Sequence, residues 1–449
     1  MSHIFRSYDI RGIYGKDIDE NIAERIGIAL ALKIKGDIAV ARDMRLSSER
    51  IMDALVKGIR KGGRNVYFLG LLPLGTALYF AWQNGKYLAY VTASHLPKEW
   101  AGVKFFHPSG CGFIDKENYE VRDIFAKVSG KGDRARGKKD KGRQICIDNE
   151  KVLADYKNYL LSKIKCRKKK IVLDCGNGMA GMVVKGLFES AGFDVTVLFE
   201  KLDGTFPNRN SEPSDDSLAK LKKAVTGKDF GIAFDGDGDR MVFVDDTGTT
   251  ATPEQIAYIL LGHLLEKGKR PIVANIECSR IIDTIAEKFS SNVHRIQVGH
   301  PYIVKEAAKR KAVLGIETSG HYVLPELFPF DDAVGISLYA AAVISNMGRK
   351  LSELIRSVPK YPFKRTNFDC ADDKKFLVIK NLEREFSKKY KINTTDGVRV
   401  DFKEGWVLAR ASNTSPIIRL TIEAENEKEF KRIEKEFSKT VEDAISRGV

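Results

Sequence analysis

Long apolar runs, closely spaced cysteines and an apolar leader are all missing from this chain of 449 residues. The greasiest stretch, Ile256 to Leu265, is broken by Gly262 and His263 and falls short of the about 18 apolar residues that a membrane span needs. The start, Met1-Ser2-His3-Ile4-Phe5-Arg6, lacks the apolar core of a signal peptide. Cys111, Cys146, Cys166, Cys175, Cys278 and Cys370 are scattered without a C-x-x-C pair. They indicate neither a disulfide framework nor a zinc knuckle, and they suit a reducing cytoplasm. No G-x-S-x-G elbow is present, which argues against an α/β-hydrolase. No Walker loop is present either: Gly268-Lys269 follows Gly262 by one residue too many, and Arg270 stands where Ser or Thr belongs.

Hydrophobic residues make up 43% and charged residues 30%, the balance of a soluble globular protein. At this length a single core is not expected, because cores stop growing near about 250–300 residues. The formal net charge of +15 favours an anionic partner, either nucleic acid or a phosphorylated small molecule. The basic, glycine-rich run from Lys127 to Arg143 carries no interleaved aromatics for bases to stack on. It reads as a solvated linker, with no nucleic-acid and no membrane partner expected.

Strand-like and helix-like patterns alternate along the chain. Ile22 to Leu32 has helical spacing, Ile38 to Ala41 reads as a buried strand, and Ser47 opens a helix that Gly62-Gly63 stops. Asn65 to Leu69 and Leu88 to Val91 are further strands, so a mostly parallel sheet is expected. A second unit begins at Ile171-Val172-Leu173 and includes the apolar runs Phe230 to Phe234 and Met241 to Val244. A third starts near Thr252, with Pro253-Glu254 as a helix start. Beyond Pro359 and Pro362, Val398 to Phe402, Trp406 to Ala411 and Ile417 to Glu423 read as antiparallel strands before a charged helix from about Glu427 to Ser446. The expectation is an α/β protein of four domains around a central cleft: three similar α/β units with mixed sheets (1–144, 145–250 and 251–358) and a smaller α+β domain (359–449).

The sharpest local signal is Asp235-Gly236-Asp237-Gly238-Asp239-Arg240. Three carboxylates at alternate positions can converge on one hard cation. An EF-hand fails here, because its sixth position needs Gly and its twelfth Glu, whereas this chain has Arg240 and Asp246 between strand-like flanks. A solvated acidic turn is the bland reading, but three neighbouring carboxylates repel unless a cation balances them. Arg240 adds a fixed positive charge suited to a phosphate.

Thr92-Ala93-Ser94-His95-Leu96-Pro97 directly follows a strand, where α/β sheets place ligands. Pro97 would end the local structure and hold Ser94 in an exposed loop, and against this stands an ordinary helix-capping Ser. Lys104 is either a proton donor or a surface lysine. In Gly315-Ile316-Glu317-Thr318-Ser319-Gly320-His321, the alternate residues Glu317, Ser319 and His321 would share one side of an extended loop, as an array for sugar hydroxyls. A polar turn with a satisfied His competes with that reading. Arg410-Ala411-Ser412-Asn413-Thr414-Ser415 holds the parts of a phosphate cradle between two strands, or of an ordinary turn. Arg6, Tyr8, Asp9 and Arg11 form a polar cluster near the start, which by default is surface charge. Finally, Gly176-Asn177-Gly178-Met179-Ala180-Gly181 matches G-x-G-x-x-G, with Glu200 about where a ribose-binding acid belongs. A nicotinamide-dependent oxidoreductase is thus the rival class, although Asp174 and Cys175 separate the strand from the first glycine.

Taken together and in order, Tyr8-Asp9-Ile10-Arg11-Gly12, Thr92 to His95, Asp235 to Arg240, Glu317 to His321 and Arg410 to Thr414 resemble the α-D-phosphohexomutase family, in its phosphomannomutase/phosphoglucomutase branch. The resemblance covers essentially the whole chain. It implies a phosphoserine at Ser94, with Mg²⁺ held by Asp235, Asp237, Asp239 and that phosphate. It places Lys104, Arg11, His95 and Arg240 near the transferring group. It gives Tyr8, Glu317, Ser319 and His321 to the sugar, and Arg410, Ser412, Asn413 and Thr414 to the phosphate that is not reacting. The implied reaction interconverts hexose 1-phosphate and hexose 6-phosphate through a hexose 1,6-bisphosphate, with the last domain as a mobile lid. The implied protein is a cytoplasmic monomer or small homo-oligomer. Phosphoglucosamine mutase is the alternative within the family. Three departures bear on loop shape and sugar preference: Leu96 where the family has Asn, Ile316 in place of a second Gly, and Gln297 in place of a Lys.

Overall fold

A computed structural model of the chain describes residues 2–128, 142–412 and 416–447. Its strands fall into four sheets that follow one another along the sequence. The first contains β1 (Ile10–Ile13), β2 (Ile38–Arg42), β3 (Val66–Leu71), β4 (Tyr87–Val91), β5 (Trp100–Phe106) and β6 (Gln144–Cys146), in the order β1-β5-β4-β2-β3-β6. β2 lies parallel to β3 and β4, whereas β5 runs antiparallel to both β4 and β1. The sheet is therefore mixed, with three of its five pairings parallel, as expected. The segment between β4 and β5 is too short for the crossover that a parallel pair requires, so the chain turns straight back.

The second sheet holds β7 (Lys170–Asp174), β8 (Asp194–Leu198), β9 (Phe230–Phe234) and β10 (Met241–Asp245), in the order β10-β9-β7-β8. The third holds β11 (Ile272–Asn275), β12 (Val293–Ile296), β13 (Leu314–Ile316) and β14 (Tyr322–Val323), in the order β12-β11-β13-β14. All three sheets share one plan. Counting from β2, β7 and β11, a first strand sits between the second and the third, and the third is followed by an antiparallel fourth (β5, β10 and β14). The repeat is one of topology, which explains why no short-period repeat shows in the sequence.

The fourth sheet, β15 (Phe363–Asp369), β16 (Ile392–Asn393), β17 (Val398–Phe402), β18 (Gly405–Ala411) and β19 (Ile417–Ala424), is antiparallel throughout, in the order β15-β19-β18-β17-β16. The strand period of two divides its faces. Val407, Ala409, Ile418 and Leu420 pack under helices Lys375–Ser387 and Glu427–Arg447. Trp406 and Leu408 face the other way, onto Ile276 of the third unit. Arg399 donates to the Ile276 carbonyl, and Glu423 accepts from Ser279 Oγ, the Arg280 amide and Trp406 Nε1.

Helix Ala333–Asn346 is buried on every side, from Ala333 to Ser345. An all-apolar helix of this kind must lie inside, and it touches β9, β10, β14 and helices Leu74–Gln83 and Pro253–Glu266. Beside it an aromatic cluster of Tyr79, Trp82, Tyr156, Tyr159, Phe328 and Phe330 joins the first, second and third units. Among the described residues no helix is long and apolar enough to cross a membrane.

Candidate active site

The third-to-fourth strand turn of each α/β unit carries one of the singled-out motifs: Ser94 between β4 and β5, Asp235 to Arg240 between β9 and β10, and Glu317 to His321 between β13 and β14. These turns meet. Ser94 is only 2% exposed, and its Oγ donates to Asp235 Oδ2 at 2.9 Å. No helix follows it, so it is not a helix cap. Its backbone is left-handed, with φ of 49°, an unusual conformation for a non-glycine residue. The loop is held in that shape from beneath. Arg45, fully buried, donates to the carbonyls of Ser94 (2.6 Å), Leu96 (2.5 Å), Pro97 (2.7 Å) and Trp100 (3.3 Å), and it pairs with Asp43 at 3.2 Å. Thr92 Oγ1 accepts from the Ser94 amide at 2.8 Å. The fit between turns is close enough that a Cβ on Gly236 would lie 2.7 Å from the Ser94 carbonyl.

β9 and β10 pair from Phe234↔Met241 outward, so the six residues between them form the tip of a hairpin, which Gly238 turns at φ of 83°. Asp235 Oδ1 accepts the amides of Gly238, Asp239 and Arg240, which fixes the loop and leaves Oδ2 facing Ser94. Lys104 is 4% exposed, not a surface lysine, and its Nζ lies 3.1 Å from Asp237 Oδ2 and 2.7 Å from Asp239 Oδ2. Burial pulls the Lys104 pKa down, but Asp237 and Asp239 more than offset that and hold it above the usual lysine range. Burial and the neighbouring Asp239 and Asp237 push Asp235 well above the ordinary carboxylate value. The three aspartates bring ligand oxygens within 4.8 Å of one another. Asp237 Oδ1 and Asp239 Oδ1 are buried without a hydrogen-bond partner. Hard, buried, unsatisfied oxygens beside a single lysine fit a divalent cation.

His95 Nδ1 lies 3.5 Å from Ser94 Oγ. Burial, with Arg240 and Arg11 adding to it, pulls the His95 pKa to about 2, so the ring is neutral at physiological pH. Arg11 on β1 pairs with Asp9 just before the strand and lies opposite Gly102, two residues from Lys104 on β5. Tyr8 packs edge-on against His300 and Tyr302.

Glu317 to His321 is a turn rather than an extended loop: the Gly320 amide donates to the Glu317 carbonyl, with φ of 92° at Gly320. The antiparallel pairing of β13 with β14 forces it. Glu317 and Ser319 stay together, and His321 parts from them. Glu317 Oε1 accepts from the Gly299 amide (2.8 Å) and Asn275 Nδ2 (3.3 Å), while Oε2 accepts from Ser319 Oγ (2.9 Å). His321 turns towards the aspartate loop. Arg240 Nε donates to His321 Nε2 at 3.0 Å, so the ring proton sits on Nδ1 and is given to Asp331 Oδ2 at 3.0 Å. His300 stacks on His321 at 4.6 Å and shares the same Asp331 oxygen.

Arg410 lies on β18 against Glu277 (3.2 Å) and Asp396 (3.4 Å), and the carbonyl of the buried Ser412 accepts from Lys375. Asn413 and Thr414 lie outside the described residues. The glycine fingerprint serves packing. A Cβ on Gly176 would meet the Arg209 guanidinium at 2.5 Å, one on Gly178 the Asp235 and Gly236 carbonyls at 2.9 Å, and one on Gly181 the Glu200 carbonyl at 2.1 Å. A short 3₁₀ turn, Met179–Met182, follows where a dinucleotide fold needs the start of an α-helix. No room is left there for a pyrophosphate. Sequence reasoning missed Arg45, Asp43, His300 and Asp331. The position of Asp43 and Arg45 at the carboxyl end of β2, beside the strand leading to Ser94, was the available signal for the first two.

Four family descriptions match in sequence order: phosphoglucomutase/phosphomannomutase α/β/α domain I over residues 2–131, domain II over 150–248, domain III over 252–361, and the C-terminal domain over 366–440. A phosphomannomutase/phosphoglucomutase of Pseudomonas putida is 32% identical over 97% of this chain and 94% of its own length. A probable phosphoglucosamine mutase of Methanocella arvoryzae is 34% identical over 94% of both. Among solved structures, a phosphoglucomutase/phosphomannomutase family protein of Burkholderia thailandensis superposes with a TM-score of 0.88 at 27% identity, over 99% of this chain and 98% of the other.

Proposed function

The chain belongs to the phosphoglucomutase/phosphomannomutase family, and on that premise we propose that it interconverts hexose 1-phosphates and hexose 6-phosphates through a phosphoserine at position 94. It is an isomerase that works by phosphoryl transfer. The observation that carries the reading is the contact between Ser94 Oγ and Asp235 in a buried pocket whose other walls are carboxylates and cations.

Phosphoryl transfer asks a protein chiefly for positioning and charge neutralisation. Asp235, Asp237 and Asp239 would hold Mg²⁺ with the Ser94 phosphate, and the ion, when bound, neutralises charge on the transferring phosphoryl oxygens. Lys104, Arg11 and Arg240 add fixed positive charge around the same point. Glu317 and Ser319, already hydrogen-bonded to each other, are the acceptors for sugar hydroxyls. Tyr8 and His321 close the sugar's surroundings, while Arg410 and the Ser412 to Thr414 loop take the remote phosphate. His95 is neutral and lines the serine side of the pocket. In the forward step the phosphorus–Oγ bond breaks as a bond to the sugar hydroxyl forms, and Oγ regains the proton that the hydroxyl loses. The hexose 1,6-bisphosphate then turns over and returns its other phosphate to Ser94.

These roles divide among four domains, for which 1–144, 145–250, 251–358 and 359–449 are the proposed limits. The free thiols suit a cytoplasmic protein. The relative from Methanocella arvoryzae makes glucosamine phosphate a second candidate substrate beside mannose and glucose phosphates.

Ser94→Ala tests the central role. With Mg²⁺ and glucose 1,6-bisphosphate present, conversion of glucose 1-phosphate should fall at least about a thousandfold while the circular dichroism spectrum is kept. Near-normal turnover would refute the phosphoserine.

A further inference from the structure

One face of the fourth sheet carries three arginines in a row. In the strand register Arg410 on β18 lies opposite Arg419 on β19, and Arg419 lies opposite Asn367 on β15. Arg365 sits two residues from Asn367, on the same side of β15. Like charges directly opposed across strands repel, so the row needs an anion. The third unit supplies one. Glu277, 6% exposed, places Oε1 3.2 Å from Arg410 Nε and Oε2 3.6 Å from Arg365 Nη2. Asp396 Oδ2 reaches Arg410 Nη1 at 3.4 Å while also accepting the Val298 amide.

The two ends of this face are held differently. At the Trp406 end the contacts are directional: Glu423 accepts from the Arg280 amide and from Trp406 Nε1, each at 2.7 Å. At the arginine end the contact is ionic but poorly aimed. Glu277 Oε1 and Arg410 Nε are both buried, and neither has a hydrogen-bond partner. A carboxylate near two guanidinium groups but badly aligned with both is a weak competitor for them. A phosphate has more acceptor oxygens and can meet guanidinium groups in paired hydrogen bonds.

We propose that Glu277 is a resident counter-ion of the arginine row that the substrate's remote phosphate displaces, and that Arg365 and Arg419 join Arg410 in binding that phosphate. This rests on the reading of Arg410 as a phosphate ligand. The arrangement keeps the cations compensated when no sugar is present, and it sets the affinity. If Glu277 occupies the row in about nine molecules of ten, the apparent dissociation constant for a sugar phosphate is raised roughly tenfold.

Steady-state kinetics of the full chain with glucose 1-phosphate, together with inhibition by inorganic sulfate, test this. Absence of turnover in the unaltered enzyme removes the reading of the site and leaves sulfate binding to judge the counter-ion. Glu277→Gln should lower KM roughly three- to tenfold and lower the sulfate inhibition constant in parallel. Arg365→Gln and Arg419→Gln should each raise KM several-fold. A Glu277→Gln enzyme with unchanged or higher KM, or arginine variants with unaltered KM, overturns the proposal. Thermal unfolding in a sulfate series covers the case in which the variant docks its fourth unit loosely. Its midpoint should rise at lower sulfate concentrations than that of the unaltered protein, and coincident curves overturn the proposal.

Discussion

Replacing Lys104 with Met isolates the electrostatics of the site from its shape, because the two side chains have similar length and only the ammonium is lost. In the folded protein that ammonium sits between Asp237 and Asp239, with Asp235 close by, and all four groups are buried. Removing one partner from a buried charge network leaves the rest uncompensated, at about 3–5 kcal/mol. The carboxylates then have two ways to recover. They can take up protons, a course already foreshadowed by the raised Asp235, so the loss should deepen as pH rises above the ordinary carboxylate range. They can also take up Mg²⁺, which stabilises the folded state by about 2.7 kcal/mol at a hundredfold excess over its dissociation constant. Thermal unfolding in EDTA and in MgCl₂ reads both. Lys104→Met should have a clearly lower midpoint in EDTA and regain more of it with Mg²⁺ than the unaltered protein gains. An equal Mg²⁺ shift in the two proteins, or no loss in EDTA, would refute the assignment of Lys104 as counter-ion of the aspartate loop.

Two further outcomes are expected. Arg45→Met removes the four carbonyl contacts beneath Ser94, and a misplacement of about 1 Å in a reacting group costs roughly a hundredfold in rate. kcat should fall by about that factor with little change in KM, and a KM effect with kcat intact would contradict a positioning role for Arg45. Asp332 caps helix Ala333–Asn346 and accepts from Tyr156, and burial raises its pKa to about 7. An unfolded aspartate titrates near about 3.9, so the folded protein binds the extra proton between the two values. The stability this group contributes is therefore full below about pH 4 and is lost as pH rises towards 7. Asp332→Asn cannot titrate, so its urea midpoint relative to the unaltered protein should improve between pH 4 and pH 7. Parallel pH profiles would rule out that proton.

Much of the site was legible because its motifs are dense in charge or glycine. Asp235 to Arg240 cannot be an ordinary turn, since three buried carboxylates so close together demand a cation. What the sequence hid were the partners. Arg45 reads as one more basic residue before a helix, and only the parallel pairing of β4 beside β2 brings the Ser94 loop above it. The stacking of His300 on His321 depends on a turn that one-dimensional alternation mistakes for an extended loop. The glycine fingerprint misleads for the opposite reason. Its spacing is real, but what approaches those glycines is the chain's own carbonyls and Arg209. Leu74–Gln83 and Ala333–Asn346 went unread as helices because a segment apolar almost all round shows no periodicity.

The shared strand plan of the three α/β units has an evolutionary consequence. Each tip hangs from its own sheet, but the three tips touch, so a change in one is constrained by the other two. In the tip bearing Glu317, a change at Ser319 leaves the contact of His321 with Arg240 in place, whereas a change at His321 reaches the aspartate loop directly. Three hairpins of one plan thus meet at a single point, and change in any of them is freest at positions that face away from the other two.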